Sequence, residues 1–128
     1  MILFVDINDV CRAALAAAYC GQKLGQEAEH AGVYGQEGTP TSELVQSAAQ
    51  KAGLDVSEHT AQPLTEETMQ RAQAIYGMTA GITEHLRADY PAYADKMAAL
   101  EIADPFGQGR EEYDRCVQAI RDALEAVR

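Results

Sequence analysis

Short, continuously apolar runs alternate along this chain with longer stretches of helical periodicity. Residues 1–5 are apolar throughout, the pattern of a parallel strand buried on both faces. A loop follows from Asp6 to Cys11, and residues 12–24, rich in Ala and Leu, predict a helix that stops at Gly25. Residues 27–31 give a weak strand signal, because charge and alanine dilute it. A three-glycine loop over 32–39 ends at Pro40. Thr41 or Ser42 can then cap a helix running to about Gly53. Thr65 opens a further helix with Glu66 and Glu67 in its first turn, where acids oppose the positive end of the helix dipole. Residues 74–78 predict a third strand, 79–89 a helix ended before Pro91, and 96–100 a fourth, poorly apolar strand. After a Gly/Pro-containing loop over 104–109, residues 110–127 form an amphipathic helix, with Tyr113, Val117, Ile120, Leu124 and Val127 at helical spacing.

Strands alternating with helices predict an α/β fold: a three-layer α/β/α sandwich around a four-stranded parallel sheet. The length of 128 residues suits one domain over 1–128, and 47% apolar residues suffice for its core without metal or disulfide support. In such sheets ligands bind at the carboxyl ends of the strands, which directs attention to the loops after the first and fourth strands.

Composition adds a constraint. Twenty acidic against ten basic residues give a formal charge of −10, which repels nucleic acid and anionic membranes; neither is an expected partner. No apolar run reaches the length of a membrane span. Three cysteines and no signal-like leader predict free thiols and a cytoplasmic location.

The loop Asp6, Ile7, Asn8, Asp9, Val10, Cys11 leads from strand to helix, so unpaired N–H groups and the helix dipole favour an anion inside it. Arg12 at the helix start can grip two phosphate oxygens. Alone, the arrangement reads more plainly as an ordinary turn beside a surface arginine. The segment Ile2-Leu3-Phe4-Val5 followed by this loop resembles the first strand and phosphate loop of the low-molecular-weight protein tyrosine phosphatases. The resemblance continues through Ala31-Gly32 and Gly38-Thr39-Pro40, the connection from Gly53 to His59, Leu64-Thr65-Glu66-Glu67, Met78-Thr79 and Asp104-Pro105-Phe106-Gly107. It implies that Arg12 binds phosphate, that Asp104 is the general acid, that Tyr34 and Tyr113 line the substrate cleft, and that the loop from Asp6 to Arg12 seats a phosphate or phosphorylated ligand.

The departures are concentrated in that loop. Asp6 stands where the family has its nucleophilic cysteine, Asn8 replaces a glycine, Asp9 an asparagine, and Ala13 and Ala14 a serine and a proline. A field that stabilises a thiolate should keep Asp6 ionised, accepting loop N–H groups and pairing with Arg12. Phosphate would then be repelled. The expected function is a pseudophosphatase, or a regulatory or binding module with an unidentified protein partner, and no cofactor. The alternative is a phosphomonoesterase with Asp6 as nucleophile, helped by magnesium on Asp6, Asp9 and Asp104. The run from Asp6 also resembles the Asp-Xxx-Asp motif of haloacid-dehalogenase-type phosphatases, although its second acid is here Asn8. A third route gives the attack to Cys11, its pKa lowered by Arg12; burial as a small side chain is the plainer reading.

The other candidates have plain structural readings as well. Asp104-Pro105 is a common turn, Tyr34 a surface tyrosine, and Tyr113 a core residue by its spacing. His30, His59 and His85 show no metal-ligand spacing; His59 suits a loop brace, and His30 and His85 read as exposed. Cys20 and Cys116 read as buried packing.

Overall fold

The computed structural model describes residues 1–127. Four strands, β1 (Ile2–Asp6), β2 (Ala28–Gly32), β3 (Ala74–Gly77) and β4 (Met97–Ala99), form one all-parallel sheet in the order β2-β1-β3-β4. Five α-helices intervene: α1 (Arg12–Lys23), α2 (Glu43–Lys51), α3 (Glu66–Arg71), α4 (Ala80–Asp89) and α5 (Arg110–Val127). A 3-10 helix over Pro91–Lys96, which the sequence pattern did not predict, leads into β4.

Alternation along β1 divides the core. Leu3 and Val5 face Met69, Ile75, Leu86 and Met97 on the side of α3 and α4. Phe4 faces the larger cluster under α1, α2 and α5, including Leu15, Val45, Val117 and Ile120. Leu3, Phe4 and Val5 are each fully buried, so the continuous apolar run reports a central strand covered on both faces, as expected. The result is a three-layer α/β/α sandwich.

The helix boundaries follow local chemistry. Ser42, Thr65 and Thr79 each accept the N–H three residues on, capping α2, α3 and α4. In α5, Tyr113, Val117, Ile120 and Leu124 are buried as their spacing predicts; Val127 is exposed, because the last turn runs past the edge of the core.

Two features position the loop after β1. Gly32 ends β2 directly against it: a Cβ there would lie 2.8 Å from backbone atoms of Ile7, Asn8 and Asp9. Asp9 takes the left-handed conformation (φ 56°), which a short polar side chain tolerates better than most. Beyond β4, Ile102 donates its N–H to Met78 O at 2.7 Å, carrying the chain back toward this loop.

Candidate functional site

Unlike α2, α3 and α4, helix α1 has no cap from its own N-cap residue: Cys11 makes no side-chain capping hydrogen bond. Asp6, at the end of β1, supplies the acceptor instead. Its Oδ2 accepts the Ala13 N–H at 2.9 Å and its Oδ1 accepts the Asp9 N–H at 2.6 Å. The carboxylate thus sits across the mouth of the helix, taking donors that would otherwise point at a bound anion.

Asp6 is 3% exposed. Burial pushes its carboxyl up to about 6, with the Asp9 charge adding to the rise, against the Ala13 and Asp9 N–H groups and the more distant Arg12. The expected donors are present and favour the ionised form, but desolvation outweighs them. Asp6 remains largely ionised at neutral pH and becomes neutral in mild acid.

The expected pairing of Asp6 with Arg12 is not formed. The buried guanidinium instead donates to the Ile102 carbonyl oxygen at 3.0 Å and lies 3.7 Å from the Asp104 carboxylate. The strand extension through Ile102 brings these groups to Arg12 and draws the fork toward the second loop. Asp104 also accepts the Phe106 N–H, fixing the turn before α5.

Asp6, Arg12, Asp104 and Tyr113 share the wall of one cleft of about 740 Å³, with Ile7, Asn8, Val10 and Cys11 from the same loop. Tyr113 is both core and cleft: it lines the cleft and is only 6% exposed. Ala13 contributes its backbone N–H and is buried. Tyr34 is 70% exposed and is not among the residues lining this cleft, although its N–H donates to Ile7 O at 2.7 Å. The opposite wall comes from Thr39, Pro40, Thr41 and Ser42, with the exposed Phe106 at the rim. The sequence pattern marked Thr39 and Pro40 only within the family resemblance, and Thr41 and Ser42 only as helix caps, with no place for them in the cleft.

Two further expectations fail. The Cys11 thiol is pushed up, not down, by its hydrogen bond to Cys116 and by burial, so proximity to Arg12 does not activate it. Asp9 does not converge with Asp6 and Asp104. Its left-handed turn sends the fully buried carboxylate behind the loop, where Oδ2 meets His30 Nδ1 at 2.7 Å and accepts the Gln62 N–H at 2.8 Å. His59 Nε2 bonds the Asp9 carbonyl oxygen at 2.7 Å, the loop-bracing position expected of it. Burial holds the His59 imidazole below its ordinary range, with His30 adding to the effect. His30, expected at the surface, is part-buried against Asp9; His85 is exposed.

The profile of the family described as low molecular weight phosphotyrosine protein phosphatase matches residues 1–127. The chain belongs to the low-molecular-weight phosphotyrosine protein phosphatase family. A probable low-molecular-weight protein-tyrosine-phosphatase, EpsP of Ralstonia nicotianae, is 28% identical, over 98% of this chain and 91% of its own length. The YwlE arginine phosphatase from Geobacillus stearothermophilus superposes with a TM-score of 0.92 at 28% identity, over 98% of this chain and 88% of its own. Wzb of Vibrio vulnificus, solved in complex with benzylphosphonate, gives a TM-score of 0.93 at 24% identity, over 98% and 94% of the two chains. Among the described residues, no helix is long and apolar enough to cross a membrane.

Proposed function

We propose that this member of the family is a phosphatase-like protein without cysteine-dependent activity, a cytoplasmic pseudophosphatase or binding module built as one domain over residues 1–128. Asp6 occupies the position of the family's nucleophilic cysteine. The observation that carries the reading is the Asp6 carboxylate accepting the Asp9 and Ala13 N–H groups. A carboxylate in that seat supplies no thiol to attack phosphorus, and it already accepts the Asp9 and Ala13 N–H groups. Its charge, with that of Asp104, opposes a dianion beside Arg12. Arg12 and Asp104 stay in the cleft as groups able to engage a partner, and the exposed Phe106 offers an apolar contact at its rim.

Hydrolysis of para-nitrophenyl phosphate by wild type and Asp6→Cys, each with and without magnesium, tests the reading. No turnover by wild type under either condition is expected. Wild-type turnover that requires magnesium would overturn it in favour of Asp6 as an aspartyl nucleophile. Turnover by Asp6→Cys alone would show that the remainder of the cradle still works.

A further inference from the structure

The cluster behind the loop, formed by Asp9, His30 and His59, is absorbed by none of the chemistry above. Asp9 is 0% exposed, and its Oδ1 has no hydrogen-bond partner among the described residues. A buried carboxylate oxygen without a donor is an arrangement that proteins ordinarily avoid. His59 Nε2 lies 3.7 Å from Oδ1, and His30 Nδ1 lies 2.7 Å from Oδ2. The two imidazoles face each other with ring centroids 4.2 Å apart at a tilt of 47°. One ligand atom from each of the three residues falls within 4.8 Å of the others.

We propose that Asp9, His30 and His59 form a binding site for a zinc-like divalent cation. Two imidazole nitrogens and one carboxylate are the donor set that selects zinc and its transition-metal neighbours over magnesium or calcium. Tetrahedral bonds of about 2.0–2.1 Å place ligand atoms roughly 3.3 Å apart. His30 Nδ1 lies 2.7 Å from Oδ2 and His59 Nε2 lies 3.7 Å from Oδ1, with one ligand atom from each residue within 4.8 Å of the others. The site therefore closes by side-chain rotation in which His59 Nε2 gives up its bond to the Asp9 carbonyl oxygen for the cation. The cation takes the place of the proton between Asp9 and His30 and supplies Asp9 Oδ1 with the partner it lacks. The Gln62 N–H, already bonded to Oδ2, orients the carboxylate from outside. A cavity of about 300 Å³ bordered by both histidines, Gln22 and Glu58 gives access and leaves space for a water as fourth ligand.

The three ligands come from three different segments: Asp9 from the loop after β1, His30 from β2, and His59 from the connection after α2. A bound cation therefore ties the back of the Asp6–Arg12 loop to the sheet edge. His30 is also separated from His59 by 29 positions, which is why no ligand spacing is visible in the sequence.

Titration of the full chain with zinc in competition with a chromophoric chelator tests the site. One equivalent bound with micromolar or tighter affinity is expected, together with a rise in melting temperature. His30→Ala and His59→Ala should each weaken binding by at least about tenfold, the scale on which even supporting residues act at metal sites. His85→Ala should leave it unchanged. Absence of one-equivalent binding, or binding indifferent to His30→Ala, would overturn the proposal. X-ray absorption at the zinc edge of the wild-type protein provides a readout independent of the variants' folding. Nitrogen and oxygen neighbours only are expected; a sulfur shell would place the zinc on Cys11 and Cys116 instead and refute the assignment.

Discussion

Replacing Asp6 by asparagine removes a charge from a site where burial and hydrogen bonding pull in opposite directions. Burial dominates, and the carboxyl is raised from 3.8 to about 6. The sign follows from which state holds the proton. Between those values the folded protein is protonated at Asp6 while the unfolded chain is ionised, so acid stabilises the fold through this group. The contribution is absent well above pH 6, grows as pH falls through 6, and is complete below 3.8. A shift of this size is worth about 3 kcal/mol in full, of which about 2 kcal/mol has accrued by pH 4.5. The substituted amide cannot titrate, and its nitrogen, facing an N–H donor, costs a constant amount at every pH. The quantity to follow is therefore the stability difference between wild type and Asp6→Asn, from urea unfolding at pH 7.5, 6.0 and 4.5. The wild type should gain on the variant by about 2 kcal/mol across that range. A flat difference would show that Asp6 is not desolvated. A wild type that loses ground in acid would show that the cradle donors outweigh burial, and the reasoning would fail.

Other perturbations probe the scaffold around the site. Gly32→Ala places a methyl group 2.8 Å from the backbone of the loop and should destabilise by about 1–3 kcal/mol in chemical denaturation, with chemical-shift changes at Ile7, Asn8 and Asp9. Ile120→Ala, at a position 1% exposed in the larger core cluster, should cost about 2–5 kcal/mol by the same measurement. Ser42→Ala removes the acceptor for the Val45 N–H and should cost about 1 kcal/mol, with amide exchange accelerated in the first turn of α2.

Much of the architecture was legible because burial writes directly into local pattern. The apolar run before Asp6, the hydroxyl residues Ser42 and Thr65 ahead of their helices, and the periodicity of Tyr113, Val117, Ile120 and Leu124 each report one physical requirement. The weak signal over 27–31 still marked a strand, because β2 lies at the sheet edge and Glu29 and His30 are only part-buried. The site was legible as a set of loops but not as a set of directions. Arg12 and Asp104 were expected in one place and are there. Which way Arg12 turns depends on the Ile102 carbonyl, ninety positions away. Asp9 reads as one more acid in a phosphate loop until its left-handed backbone is seen to aim it away from the cleft. Activation of Cys11 by its neighbour Arg12 was one route the sequence left open, and the thiol that Cys11 meets lies on α5, far along the chain. His30 was read as exposed because nothing near it in sequence reveals Asp9 and His59.

Calorimetric titration of inorganic phosphate into the wild-type protein at pH 7.5 tests most directly whether Asp6 occupies the anion seat. If the carboxylate holds the Asp9 and Ala13 N–H groups, no saturable binding is observed below millimolar phosphate. Saturable micromolar binding would mean that the donors are free for phosphate and would contradict the account.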